Sequence, residues 1–121
     1  MRRAEAIIVR AAVVMALLAA LAAHPMHSVQ ARVIHVTAKR FAYEPSEIVV
    51  KKGVPVVLEM TALDRHHGFE LRELGVRADI EPGRVTRVRI LPKKTGRFIF
   101  SCDVFCGSGH EDMSGVLVVV D

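Results

Sequence analysis

After residue 31 the sequence breaks into short β-rich runs that are separated by turn-forming residues. Runs such as "EIVVKKG", "VPVVLEMT", "HGFEL", "GRFIFSC" and "GVLVVVD" are rich in apolar and β-branched residues, and "YEPSE", "EPGR" and "LPKKTG" interrupt them. No stretch of this region repeats apolar residues at helical spacing. About seven short strands at this spacing predict a small all-β domain, an antiparallel sandwich or barrel.

Residues 1–31 differ in composition from the rest of the chain. A basic lead with Arg2, Arg3 and Arg10 is followed by the uncharged apolar run "AAVVMALLAALAA". This layout predicts a secretory signal peptide. The alternative is a single membrane anchor, with Arg10 near one end of the span. Both interpretations predict a working domain of residues 32–121 in the periplasm or on the extracytoplasmic face of the membrane.

The charge of the chain does not favour nucleic-acid binding. Residues 1–31 contain three arginines and one glutamate, so the formal net charge of +4 falls to +2 for residues 32–121. That domain has no basic run with interleaved aromatic residues, which a nucleic-acid surface would need. We therefore expect no nucleic-acid partner.

Both cysteines of the chain lie in "FSCDVFCGSGHEDM", residues 100–113, together with a histidine and a methionine. A disulfide is the default for two cysteines of an exported protein, but it leaves His110 and Met113 unexplained. A thiol–disulfide oxidoreductase would need a helix that this domain lacks. The third interpretation is a metal site that uses Cys102, Cys106, His110 and Met113 together. A loop held at both ends by strands is a suitable scaffold for such a site.

The chemistry of these side chains favours copper. Thiolate and thioether sulfur are soft ligands that suit copper, and imidazole suits it as well, whereas zinc has no use for the thioether. A mononuclear blue-copper site takes one thiolate, one methionine and two histidines, so a second histidine must come from elsewhere. His67 in "DRHHGF" is the candidate, and its neighbour His66 should point the other way on a regular strand. Two bridging thiolates can instead hold two copper ions side by side.

Two segments carry a family resemblance. "CDVFCGSGHEDM" fits Cys-x3-Cys-x3-His-x2-Met, and "DRHHGF" looks like the Asp-x-x-His-Ser/Gly-Phe segment. Together they resemble the dinuclear copper (CuA) domain of cytochrome c oxidase subunit II, which has the cupredoxin fold, a Greek-key β-sandwich or barrel. The run "FAYEPSEIVVKKGVPVVLEMTALD" is similar to the opening strands of that family, so the resemblance covers residues 32–121.

The resemblance implies a complete set of ligands for two copper ions that the two cysteines bridge. His67 and Met113 would complete one ion, and His110 and the backbone carbonyl of Val104 would complete the other. The implied metal ligands are therefore His67, Cys102, Val104, Cys106, His110 and Met113. The implied supporting positions are Asp64, Gly68 and Phe69.

The expected function is one-electron transfer to and from a redox partner protein in the cell envelope, a cytochrome or an oxidase-type protein. The alternative role is that of a subunit or accessory of an oxidase-type complex. We expect a carrier rather than an enzyme, because the sequence shows no nucleophile, general base or open substrate position. The chain has no tryptophan, and residues 1–31 have room for at most one membrane span, so a stand-alone periplasmic or membrane-tethered protein is expected. Copper storage or delivery by the same ligands is the alternative. A weaker alternative is a mononuclear copper site that does not use Cys102.

Overall fold

The structure, a computed structural model, describes residues 2–22, 25–26 and 28–121. A single long helix in these residues, α1, runs over Arg2–Ala22. Among the described residues, no helix is both long and apolar enough to cross a membrane. The predicted export segment also includes Met1, Ala23, His24 and His27, which lie outside the described residues.

Residues 28–121 form two β-sheets. The strands are β1 (Arg32–Lys39), β2 (Ala42–Glu44), β3 (Glu47–Lys51), β4 (Val56–Ala62), β5 (His67–Leu71), β6 (Val76–Ile80), β7 (Thr86–Ile90), β8 (Gly96–Ser101) and β9 (Ser114–Val120). One sheet has the order β2-β1-β4-β7, and the other has the order β3-β9-β8-β5-β6. Helical structure in this range is limited to two 3-10 turns, Arg72–Leu74 and His110–Asp112. The all-β fold class is confirmed.

The expectation of about seven antiparallel strands is wrong in two respects. The pairs β1–β4 and β3–β9 are parallel, because the chain changes sheet between them and consecutive strands are not always neighbours. In addition, β6 has no counterpart in the sequence prediction. Its charged residues Arg77 and Asp79 are exposed on an edge strand, so its sequence "VRADI" lacks the apolar density that marks the other strands.

An aromatic cluster fills the space between the sheets. Tyr43, Phe69 and Phe100 are fully buried, and their ring centroids lie between 4.9 and 6.2 Å apart in edge-on and tilted arrangements, which are favourable for aromatic pairs. The residues of β8 alternate between the two faces of the sheet, since Phe100 is buried and Ile99 is 57% exposed. This alternation directs Cys102, the next residue on the same face, toward the interior.

The hydroxyl of Tyr43 ties the two sheets together. It donates to the carbonyl of Gly68 at 2.6 Å in a buried position, and Tyr43 lies in β2 whereas Gly68 lies in β5. Burial is the main cause that raises the pKa of Tyr43 above its usual range, so the phenol stays protonated and remains a donor. Gly68 directly follows His67, and the core is therefore connected to the candidate site.

The two ends of the sheets differ in character. At one end, which we call the loop end, residues 63–66 connect β4 to β5 and residues 102–113 connect β8 to β9. At the other end, which we call the turn end, backbone hydrogen bonds connect the first residue of β1, the turn between β3 and β4, and the turn between β7 and β8. The N–H of Arg32 donates to Pro55 at 3.0 Å, and the N–H of Gly53 donates to Pro92 at 2.7 Å. All the predicted ligands belong to the loop end.

We expect Tyr43→Phe to lower the free energy of unfolding by about 1–3 kcal/mol, because it keeps the ring but leaves the buried Gly68 carbonyl without a donor. Denaturant unfolding followed by circular dichroism measures the change. Thr37→Val is a matched control that removes an exposed, longer bond to the Glu44 carbonyl, and it should cost less than about 0.5 kcal/mol. Equal losses in the two variants would contradict the importance of the buried bond.

Candidate metal centre

The loop between β8 and β9 folds back on itself. The strand ladder ends at the Ser101–Ser114 pair, and the N–H of Cys102 then donates to the Met113 carbonyl at 3.1 Å. A short helical turn precedes Met113, where the N–H of Met113 donates to the His110 carbonyl at 3.1 Å. The two ends of the loop are thereby held together.

The ligand atoms of the loop converge on one point. Cys102 Sγ lies 3.8 Å from Cys106 Sγ and 3.1 Å from the Val104 carbonyl oxygen. Cys106 Sγ lies 3.6 Å from His110 Nδ1 and 3.9 Å from Met113 Sδ. Both cysteines are free thiols, and their separation is well beyond the length of about 2.05 Å of a disulfide bond.

His67 joins this cluster from the start of β5. The ligand atoms of His67, Cys102 and Cys106 all lie within 4.8 Å of one another, and the three residues are buried. The Nδ1 atom of His67 is buried and has no hydrogen-bond partner. Because buried polar atoms are nearly always paired, an orphaned imidazole nitrogen beside two thiols indicates a ligand position. Thiol, imidazole and thioether are the donors that fit copper.

Asp64 determines which nitrogen of His67 is available. Partial burial raises the pKa of Asp64, but hydrogen bonds from His67 and from the backbone N–H groups of Arg40 and Arg65 outweigh the burial and lower it to about 2. The ionised carboxylate lies 2.6 Å from His67 Nε2 and accepts its proton. The lone pair is then left on Nδ1, the nitrogen that faces the thiols.

The Cys106 thiol needs a cation to ionise at neutral pH. Burial, followed by the hydrogen bond with Cys102, raises the pKa of Cys106 to about 11. One backbone donor already faces the other sulfur, since the N–H of Gly68 lies 3.3 Å from Cys102 Sγ. A soft metal ion that binds both sulfurs would displace their protons. The free energy needed for this deprotonation would lower the observed affinity of the site for the metal.

The structure brings all six sequence-predicted ligand residues to the loop end. His66 faces away from them, as expected from strand alternation, and its Nε2 lies 3.0 Å from Asp79 Oδ1 with the side chain 41% exposed. The supporting positions have separate roles. Asp64 orients His67, and Phe69 belongs to the buried aromatic cluster.

Gly68 has no room for a side chain. A Cβ at this position would overlap the carboxylate of Asp103, which Arg77 Nε holds at 2.5 Å. The close approach lets the Gly68 backbone reach both Tyr43 and Cys102. In this chain a larger residue at position 68 would have to displace the Asp103 carboxylate next to the candidate ligands.

The sequence analysis did not predict the side chains that support the loop between β8 and β9. Arg40 Nε donates to the Cys106 carbonyl at 3.0 Å. The ring of Phe41 fills the space beside Gly107 and Gly109, where a Cβ would overlap it. No local pattern could reveal these contacts, because 66 positions separate Arg40 from Cys106.

The sequence matches the family model of the cupredoxin-like domain over residues 10–119. The chain belongs to the cupredoxin-like family. Cytochrome c oxidase subunit 2 of Thermus thermophilus is 35% identical over 86 residues, which are 71% of this chain and 64% of that protein. The subunit 2 of Saccharomyces cerevisiae is 34% identical over 68 residues, which are 56% of this chain and 27% of that protein. The cupredoxin-like chain thus spans less than two thirds of the length of these relatives.

Solved structures share the cupredoxin-like fold. The periplasmic domain of cytochrome oxidase subunit II from Bradyrhizobium japonicum superposes with a TM-score of 0.69 at 24% identity, covering 78% of this chain and 88% of that chain. The metal-binding domain of a Cu(I)-exporting P-type ATPase from Streptococcus pneumoniae gives a TM-score of 0.60 at 24% identity, covering 78% and 92%. The predicted fold and the resemblance to oxidase subunit II are both confirmed.

Asp64→Ala should weaken Cu(I) binding by about 10- to 100-fold, because it removes the carboxylate that orients His67. Competition with a chromophoric Cu(I) chelator under reducing conditions measures the affinity. Asp79→Ala is the matched control, since Asp79 holds the neighbouring His66, which faces away from the cluster. An unchanged affinity in Asp64→Ala, or the same loss in both variants, would contradict the assignment of His67.

Proposed function

We propose that this cupredoxin-like chain holds a dinuclear copper centre and carries single electrons between proteins of the cell envelope. The observation that carries the proposal is the buried, unpartnered Nδ1 of His67, which faces two free thiols. A structural disulfide would have no use for this nitrogen. The similarity to oxidase subunit 2 proteins supports the same assignment.

In this proposal Cys102 and Cys106 bridge the two metal ions. His67 and Met113 bind one ion, and His110 and the Val104 carbonyl bind the other. When bound, a thiolate-bridged copper pair shares one unpaired electron and exchanges it with little change in bond length. Burial of Cys102, Cys106 and Met113 excludes water from the sulfur ligands.

The chain's own contacts fix the ligands before any metal binds. Asp64 holds His67, Gly68 donates to Cys102, and Arg40 holds the carbonyl of Cys106. Ligands that are held by the scaffold move little when the charge of the site changes. Such rigidity is an advantage for a carrier, which has to accept and release electrons quickly.

We propose that the chain works outside the cytoplasm. The basic and apolar composition of residues 1–31 supports export, with this segment either removed as a signal peptide or kept as an anchor. The similar Bradyrhizobium japonicum structure is the periplasmic domain of its subunit. Residues 32–121 then form the working cupredoxin-like domain in the periplasm or at the membrane.

A redox partner would reach the centre at the loop end. His110 is only half-buried, and the ring of Phe105 lies against its imidazole with centroids 5.8 Å apart. Phe105 is 71% exposed and Leu63, on the neighbouring loop, is 64% exposed. Exposed apolar residues beside a candidate ligand are suited to contact a second protein.

The copper-loaded chain should contain two copper ions and be purple, with an electron paramagnetic resonance pattern from one electron spread over both. Cys102→Ser should collapse the site to one copper, because a bridging thiolate is lost. Met113→Leu should keep both metals and shift the reduction potential, because the thioether is a weak ligand. Metal analysis and spectroscopy measure both effects.

One copper per wild-type chain, or a full purple spectrum in Cys102→Ser, would contradict the dinuclear assignment. The same preparation separates electron transfer from copper delivery. A carrier keeps its copper when a Cu(I)-binding acceptor is added and cycles reversibly between two oxidation states. Ready loss of the metal to that acceptor would instead support delivery.

Phe105→Ala should slow electron exchange with a soluble c-type cytochrome, used as the probe partner, by about five- to tenfold, as for the loss of one good interface contact. Stopped-flow spectroscopy measures the rate, and copper content should not change. Ile99→Ala is the control, because Ile99 is exposed in strand β8 rather than in the ligand loops. Equal rates in wild type and Phe105→Ala would place the docking surface elsewhere.

A further inference from the structure

A group of exposed cationic side chains lies at the turn end. The strand registers place Arg32 beside Val56, Arg89 beside Val57 and Lys51 beside Val120. The hydrogen bond between Gly53 and Pro92 brings the two lysines that follow Pro92 close to the turn after β3. We call this set of exposed residues the basic end: Arg32, Lys51, Lys52, Arg89, Lys93 and Lys94.

Little negative charge offsets the basic end. Asp121 lies 3.2 Å from Lys52, and Glu73 is one of the residues that line a cavity at this end. The loop end carries the acidic groups Asp64, Asp79, Glu81, Asp103, Glu111 and Asp112. It also carries cations, among them Lys39, Arg40, Arg65 and Arg84, so its charges largely balance, whereas cations are in excess at the basic end.

A cavity of about 440 Å³ opens at the basic end. Arg89, Lys93 and Lys94 line it together with apolar residues that include Leu74 and Leu91. Within the part of the chain that the structure describes, these three cations form no ion pair. Glu73 also lines the cavity, so its lining combines three cations, one carboxylate and an apolar wall. The net positive charge and the apolar wall suit a phosphate group that carries a hydrocarbon chain.

The apolar N-terminal segment enters the domain at the same end. Arg32 begins β1, and residues 2–22 form α1 a few positions earlier. The side chains of residues 3–16 of α1 are all exposed, among them Ile7, Ile8 and Val14. An exposed apolar stretch of helix, joined to a cationic surface, has the two elements that bind an anionic bilayer.

We infer that the basic end rests on an anionic phospholipid membrane, with the cavity receiving a lipid phosphate. The loop end then faces the aqueous compartment, where a soluble partner can reach it. This orientation goes beyond the proposed electron transfer and does not depend on the metal. Binding should weaken as salt is added, because surface charges are screened within about 8 Å at physiological ionic strength.

The lysines of the chain provide an internal test. Lys51, Lys52, Lys93 and Lys94 belong to the basic end, whereas Lys39 ends β1 at the loop end. The full chain is treated with an amine acetylating reagent on vesicles of phosphatidylglycerol and phosphatidylcholine, and on phosphatidylcholine alone. Mass spectrometry should show that the four lysines lose reactivity on the anionic vesicles, while Lys39 does not.

Equal protection of Lys39, or unchanged reactivity of the four lysines on the vesicle-bound chain, would overturn the inference. A chain that does not bind the anionic vesicles would overturn it as well, and would leave an acidic protein surface as the occupant.

Two substitutions test the contribution of the charges to affinity. Lys93→Gln combined with Lys94→Gln should weaken vesicle binding by about 30-fold, since each lysine near an anionic surface contributes about fivefold. Lys39→Gln is the matched control and should bind like the wild type. Wild-type affinity in the double variant would overturn the inference, because two cations that line the cavity would then contribute nothing to binding. The copper content of the same samples tests the proposed function separately.

Discussion

The hydrogen bond between the Cys102 N–H and the Met113 carbonyl constrains the whole loop end. It extends the β8–β9 ladder by one pair, so residues 103–112 must leave the sheet and return to it within a short distance. Cys102 and Met113 therefore stand side by side at the mouth of the loop. The returning chain can only be accommodated by a tight path, and this path carries Cys106 and His110 over the buried aromatic cluster.

The loop does not maintain this conformation alone. A short segment of this kind contains two glycines, Gly107 and Gly109, and has few apolar contacts within itself, so its conformational entropy would be high without external support. Phe41 fills the space beside the two glycines. Arg40 donates to the carbonyl of Cys106, the residue directly before Gly107. The charged and aromatic residues of the β1–β2 connection thus make the ligand positions rigid, which is the property that fast electron exchange requires.

Much of the candidate site could be predicted from the sequence because its residues are close in the chain. Cys102, Cys106, His110 and Met113 fall within one loop, and the alternation of β8 already indicates which way Cys102 points. His67 required a second motif, which a resemblance supplied. The contacts of Arg40, Phe41 and Tyr43 could not be predicted, because they depend on how distant strands are placed. The parallel pairing of β1 with β4 and of β3 with β9 could not be predicted either, because strand order is decided by packing between sheets rather than by any local pattern.

The direction of β1 gives the two ends of the molecule their separate roles. The strand begins at Arg32 beside the turn of β3 and runs to Lys39 beside the ligand loops, and its eight residues span about 26 Å at the usual rise of a strand. A surface that binds the turn end therefore cannot cover His110 or Phe105. Over this distance the Coulomb interaction between the cationic residues of the basic end and the buried cluster is weak. The charges that favour an anionic surface consequently exert little influence on a metal ion at the loop end, and membrane contact and partner docking can occur at the same time without competing.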